Sequence, residues 1–308
     1  MATGMSIHVG VNDTKADGVT APLLGCEQDA IDMFKLARDR GFVGVNGDKP
    51  DLLLKDDAKR DGVLTKILIA AEKLQAGDIF LFTFSGHGTQ RGQEDRDEVD
   101  EFDETLVMQD LFLVDNVLRR LVWPSFKAGV RVVMVSDSCH SGGAAMSLLR
   151  DSEGGSSESS NGGLSVATTR NGNDFSPAAD SQTSNVRRRA QRDFRIRTIS
   201  ESENHTHFER MKEFYAKVRS ELPPVQPITA DILLLAACGE HQTTKDGVPN
   251  GLFTTELLKV FNSNGSKTYQ QLMEEIGDNL KLAGEESTPL LKRISDTPTF
   301  SDTEAFRI

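Results

Sequence analysis

Cysteine is scarce in this chain: Cys26, Cys139 and Cys238 are the full set in 308 residues. They are odd in number, scattered and without a CxxC pair, which argues against both a disulfide framework and a zinc knuckle. Excess positive charge is lacking as well. The formal net charge is −12 and the isoelectric point about 5.0, so the chain has no electrostatic footprint for nucleic acid and little attraction to an anionic membrane. An acidic surface suits basic ligands or basic peptide segments instead. Nor is there a long hydrophobic run: "ILLLAAC", residues 232 to 238, falls far short of a bilayer's width. The opening "MATGMSIHVGVN" has no basic region followed by an apolar core, which disfavours a secretory signal. Together these absences set the expectation of a soluble, cytoplasmic protein with reduced thiols, acting on neither nucleic acid nor membrane.

What the chain does contain is alternation. "SIHVGV" (6 to 11), "DLLL" (51 to 54), "IFLFTF" (79 to 84), "RVVMVS" (131 to 136) and "ILLLAA" (232 to 237) read as buried strands, apolar without interruption. Between and after them, 27 to 42, 62 to 74, 114 to 123, 250 to 261 and 268 to 282 carry apolar residues at helical spacing. The order predicts an α/β fold, a mostly parallel sheet with helices on both faces. "DETLVMQDLFLV" (103 to 114) predicts a small extra hairpin. We read a single domain over 1–308, with a larger block (1–149), a loop (150–227) and a smaller block (228–308) completing the same sheet. The loop begins Ser-, Gly- and Asn-rich, too poor in apolar residues to build a core. It nevertheless holds seven arginines between 170 and 197, and "HFERMKEFYAKVRSEL" near its end has helical spacing.

In open α/β sheets, functional groups collect at the carboxyl ends of the strands. One strand ends in "SGHGTQ" and puts His87 on a Gly-flanked turn. Another ends in "SDSCHSGG" and puts Cys139 on a second, 52 residues later. An imidazole and a thiol at one sheet edge are what a cysteine nucleophile needs. Taken singly, such a cysteine is usually a small buried hydrophobe and such a histidine a bystander. Their joint placement favours the nucleophile. A phosphate-binding reading fails for want of G-x-x-x-x-G-K-[ST], and Ser85 and Ser141 lack the G-x-S-x-G context of a serine nucleophile. His8 sits within a strand and reads as structural. His205 and His207 form an HxH in polar sequence, which by itself reads as solvated surface.

"FSGHGTQ" and "DSCHSG", in this order and at this spacing, resemble the two catalytic blocks of the caspase-like cysteine peptidases, in their metacaspase and orthocaspase form. The resemblance extends to "LLGCEQDA" (23 to 30), "DEVDEFDETLVMQD" (97 to 110) and "ILLLAACGEHQTTKD" (232 to 246). It implies the caspase-like (caspase–haemoglobinase) three-layer sandwich. It further implies His87 as general base and acid, Cys139 as nucleophile forming a thioester acyl-enzyme, and the N–H groups of Gly88 and Cys139 as the oxyanion hole. His140 is then a wall of the site. The resemblance places Asp29, Ser85 and Asp137 in an S1 pocket for Arg or Lys. A partly buried carboxylate two residues from the nucleophile invites a guanidinium, although Asp29 alone reads as a first-turn helix acid and Asp137 as a turn former. The expected activity is therefore a cysteine endopeptidase cutting protein or peptide substrates after basic residues. The alternative is a catalytically silent caspase-like sensor or binding protein.

A basic segment tethered beside an acidic pocket is at high effective concentration. Arg150, Arg170, Arg187, Arg188 and Arg189 are accordingly candidates for self-cleavage or for plugging the site. No cofactor is required for the chemistry. Many metacaspases use calcium as an activator, and Asp100, Asp103, Asp115 and Asn116 offer oxygens of suitable hardness. The hairpin resembles one that covers the edge animal caspases use to dimerise, so a monomer is expected, with activation left to an unknown ligand or partner.

Overall fold

Strands whose side chains are apolar on both sides must be covered on both sides, and here they are. The structure is a computed structural model that describes residues 2–90, 104–139, 195–239, 242–263, 265–293 and 300–308. Its central sheet has six strands in the order β11-β9-β7-β3-β1-β2. They are β1 (Gly4–Gly10), β2 (Asp51–Leu54), β3 (Ile79–Ser85), β7 (Arg131–Asp137), β9 (Asp231–Ala236) and β11 (Leu290–Arg293). All neighbours are parallel except β11, which runs antiparallel to β9 at one edge.

The two faces of each strand feed two cores, as the two-residue period of a strand requires. On one face Phe80, Phe82 and Phe84 of β3 join Val132 and Met134 of β7 against α2 (Arg60–Lys73) and Trp123. On the other, Leu81, Val133, Val135, Leu233 and Leu235 meet α1 (Cys26–Asp39), α6 (Leu252–Phe261) and α7 (Tyr269–Leu282). The result is the caspase-like three-layer sandwich expected. In α1 the buried residues Cys26, Asp29, Ala30, Met33, Leu36 and Ala37 form one stripe. Asp29 therefore lies on the inward face, in the first turn above the sheet's functional edge.

Around this frame the expectations are refined. The hairpin is present as β5 (Glu104–Val107) and β6 (Phe112–Val114), joined by β4 (Gly88–Gln90) in a three-stranded sheet of its own. None of its described strands pairs with an edge of the six-stranded sheet. The expected helix at 114 to 123 starts as one turn, α3 (Asp115–Val117), widens over Leu118–Val122, then tightens around Pro124, which has no N–H to continue it.

The expected loop is structured from 195 onward. It holds β8 (Arg195–Ile196), α4 (Glu201–Arg210) and α5 (Lys212–Glu221), a pair of helices where one was read. Ser200 and Glu203 close a capping box at the start of α4. β8 pairs antiparallel with β10 (Lys245–Asp246).

Phe82 is fully buried at the centre of the sheet. Phe82→Ala is expected to cost about 3–5 kcal/mol by leaving a cavity there, measured as a lowered urea midpoint.

Candidate active site

Two parallel strands in register bring the functional turns together. Ser85 of β3 lies opposite Asp137 of β7, so the turns carrying His87 and Cys139 leave the sheet side by side. They are in contact: a β-carbon on Gly88 would collide with the Cys139 carbonyl oxygen, which is why this turn takes a glycine.

His87 is buried, and its Nε2–H donates to the Ala21 carbonyl at 2.6 Å. A carbonyl only accepts, so the proton belongs on Nε2 and Nδ1 keeps its lone pair. Nδ1 has no hydrogen-bond partner among the described residues, with the Arg197 backbone beside it. Burial pushes the imidazole below its usual pKa; the bond to Ala21 acts in the opposite direction. Cys139 is also buried. Its Sγ accepts from the Thr244 N–H at 3.3 Å and lies 3.7 Å from the Thr244 carbonyl. Burial pushes this thiol up to about 12, so in this state it is neutral.

The centre of the site is filled by the chain itself. Arg197, directly after β8, is fully buried. Its Nη2 contacts Asp29 Oδ2 at 2.6 Å and Asp246 Oδ1 at 3.0 Å, and its Nη1 contacts Asp137 Oδ1 at 2.9 Å. Nη1 also donates to Ser85 Oγ and to the Asp137 carbonyl, each at 2.8 Å. The Arg197 N–H donates to the Thr244 carbonyl at 3.2 Å. Its own carbonyl oxygen accepts from the Gly88 N–H at 3.0 Å and the Cys139 N–H at 3.3 Å. Two N–H groups converging on one carbonyl form an arrangement able to hold developing negative charge.

Each carboxylate is held independently of the guanidinium. Asp29 accepts from Ser85 Oγ and the Gly251 N–H, Asp137 from the N–H and hydroxyl of Thr254, and Asp246 from the N–H groups of Leu24 and Gly25. Burial raises Asp137 to about 6 despite the adjacent guanidinium. A β-carbon on Gly251 would collide with the Arg197 guanidinium, so that glycine leaves the room the cation occupies.

The structure thus brings Asp29, Ser85, His87, Gly88, Asp137 and Cys139 to one place. It adds Arg197, Asp246, Gly251 and Ala21, to which the sequence reading gave no role. Two signals were available. "RIRTIS" alternates basic and apolar residues immediately before the Ser200–Glu203 cap, marking an extended segment that enters a helix. "TTKDG" holds Asp246 in a polar turn. His8 is structural as read, with both ring nitrogens bonded to Thr83 and Ser6. His207 is not surface: it is buried, with Nδ1 on the Asp17 carbonyl and Nε2 on Tyr215.

Asp100, Asp103, His140, Arg150, Arg170, Arg187, Arg188 and Arg189 lie outside the described residues. Asp115 is buried at the start of α3, and Asn116 lines a groove facing α5. No cluster of three His, Cys, Asp or Glu side chains suited to a metal occurs among the described residues. Nor is any described helix long and apolar enough to cross a membrane.

The family model described as Caspase domain matches residues 4–306. The chain belongs to the caspase-domain family. Across 329 aligned residues it is 25% identical to metacaspase-2 of Trypanosoma brucei brucei, covering 99% of this chain and 78% of that protein. Across 148 residues it is 32% identical to metacaspase-4 of Arabidopsis thaliana, covering 46% of this chain and 34% of that one. The chain spans less than two thirds of several metacaspases it matches, 62% of one from Aspergillus clavatus. Among solved structures it resembles a protein of Geobacter sulfurreducens, with a TM-score of 0.74 at 27% identity and 99% coverage of both chains.

In this caspase-domain chain the thiol is buried and held neutral, and Arg197 occupies the neighbouring carboxylate pocket and the two N–H groups beside it. Arg197→Ala is expected to speed alkylation of Cys139 by iodoacetamide at neutral pH by at least about tenfold, measured by mass spectrometry of the modified peptide.

Proposed function

We propose that this chain is a cysteine endopeptidase that cuts after arginine or lysine and is held latent by its own Arg197. One observation carries the reading. Arg197 lies as a substrate's P1 residue would, its guanidinium among three carboxylates and its carbonyl on the two N–H groups beside Cys139. The antiparallel pairing of β8 with β10 extends that pose along the backbone.

In the proposed reaction Cys139 Sγ gives its proton to His87 Nδ1 and attacks the carbonyl carbon. The oxyanion rests on the Gly88 and Cys139 N–H groups. As the C–N bond breaks, His87 returns the proton to the leaving amine, and water then hydrolyses the thioester. Nδ1 serves as the base because Nε2–H is committed to Ala21. Latency has two sources in this reading. The pocket is occupied, and the thiol is held neutral against Thr244. The Arg197–Thr198 bond is the proposed self-processing site; Arg150, Arg170 and Arg187 to Arg189 are candidates for further cuts.

Specificity rests on charge in a dry pocket, where one acid lost leaves the others to hold an arginine less well. Asp29→Asn or Asp246→Asn is expected to lower kcat/KM on arginine peptides by about a hundredfold. Asp137 gains its proton as pH falls through about 6, so KM for arginine peptides is expected to rise on acidification from pH 7 to 5, measured by initial rates.

The direct test is hydrolysis of fluorogenic peptides ending in Arg, Lys or Asp, by wild type and Cys139→Ala, with calcium and with chelator. Cleavage after Arg and Lys that Cys139→Ala abolishes is the expected result. The chelator arm tests the calcium expectation, on which no step above depends. Cleavage after Asp would remove the role given to the pocket. Silence on every peptide, with no new Thr198 N-terminus on sequencing, would favour the binding-protein reading.

A further inference from the structure

The loop between β1 and α1 supplies the Ala21 carbonyl that fixes the His87 imidazole, and the segment from β8 to α4 grips that loop on both sides of Ala21. On one side, Glu203 Oε1 accepts from the N–H and the hydroxyl of Thr20 at 2.8 and 2.7 Å. On the other, Arg195 Nη1 donates to the Pro22 carbonyl at 2.7 Å. Farther along α4, the His207 Nδ1–H donates to the Asp17 carbonyl at 2.8 Å, and Arg210 pairs with the Asp17 carboxylate across open surface.

Glu203 is itself firmly seated. Its second oxygen accepts from the Ser200 N–H at 3.0 Å and the Ser200 hydroxyl at 2.8 Å. Partial burial works against its charge, but the bonds from Thr20 and Ser200 outweigh it and hold the carboxyl at about 2. It is therefore a fixed anion throughout the neutral range, anchored in one helix and bonded to the residue next to Ala21.

We infer that Glu203 is a positioning residue for His87: by holding Thr20 it sets the Ala21 carbonyl that orients the imidazole. The effect on rate rests on the peptidase reading above; the effect on the imidazole does not. The two grips differ in their fate. Arg195 lies before the Arg197–Thr198 bond and Glu203 after it. A cut there frees the Arg195 side and leaves Glu203, within α4, still bonded to Thr20. The grip that persists in the processed chain is the one that matters for turnover.

The sign of the consequence follows from the bond. The Ala21 carbonyl favours the protonated imidazole, so loosening it lowers the pKa of His87. Among the described residues, the charged groups acting on this ring are Arg197, which lowers its pKa, and Asp246, which raises it; the Cys139 thiol stands on the adjacent strand end. All three are unchanged by a substitution at 203.

The test is an NMR titration of the His87 imidazole in the full-length chain carrying Cys139→Ala, which prevents self-cleavage, with and without Glu203→Ala. His87→Gln identifies the resonance, and Arg210→Ala serves as a control because an exposed pair on the same loop contributes little. The expected result is a midpoint lowered by at least about half a pH unit in Glu203→Ala and unmoved in Arg210→Ala. In the processed enzyme, Glu203→Ala is expected to lower kcat about tenfold, to leave KM within about twofold and to move the acid limb to lower pH. A folded Glu203→Ala chain with an unmoved midpoint overturns the inference. Should that variant fail to fold, Thr20→Val removes one bond to the same oxygen and is read the same way. A moved midpoint with no peptide cleavage by any variant, wild type included, supports the positioning role and counts against the peptidase reading.

Discussion

A guanidinium with no access to water, surrounded by Asp29, Asp137 and Asp246, is the interaction on which the rest of this structure depends. Taking an ion out of water costs several kcal/mol, and the cost is offset only where the partners are already in place. Here they are. Gly251 and Ser85 hold Asp29, Thr254 holds Asp137, and the turn into α1 holds Asp246. Three distant segments of chain thus meet in a pocket whose carboxylates each have hydrogen-bond partners besides the guanidinium. Three buried carboxylates with no cation would repel one another at low dielectric, so the pocket favours a basic side chain from whatever source. A tethered arginine is the nearest source, and on the function proposed above a basic substrate would compete for the same place. Selectivity for a basic residue and occupancy by Arg197 are in this view two consequences of one charge distribution.

The same segment links the pocket to the reacting atoms. Arg197 fills the pocket with its side chain and the N–H pair with its carbonyl, while its neighbours on either side grip the loop that orients His87. The backbone carries most of this work: Gly88, Cys139, Thr244 and Ala21 all act through N–H or C=O groups. Such groups are positioned by the parallel sheet and its strand-end turns, which are rigid because both faces of the sheet are packed. The buried environment that sharpens these contacts also keeps the Cys139 thiol neutral. On the function proposed above, the site holds a peptide segment on its N–H pair while the thiol stays at rest.

Much of the fold was legible in the residues. Unbroken apolar strands alternating with amphipathic helices admit few arrangements other than a covered parallel sheet, and the five predicted strands are all present. The hairpin was legible from "DETLVMQDLFLV", although its pairing with β4 rather than with a sheet edge was not. The boundary of the loop was misjudged because 195 to 199 is too short to show a pattern. A two-residue strand is stable only through its partner, here β10, some 50 residues away.

The sequence by itself determined that an imidazole and a thiol would each stand in a Gly-rich turn at a strand end, since strand pattern and turn composition are local properties; that the two strands are neighbours is fixed by the long-range pairing of β3 with β7. It also determined the acidic character of the pocket through Asp29 and Asp137, whose positions follow from the first turn of α1 and the end of β7. Only the tertiary structure decided that Asp246 completes the pocket and that Arg197, among seven arginines, occupies it. Nothing local distinguishes Arg197 from Arg195 two residues earlier. A continued strand would put both on one face, since they are two residues apart; instead β8 ends at Ile196, and the chain leaving it carries Arg197 inward to three carboxylates while Arg195 stays at the surface on the Pro22 carbonyl.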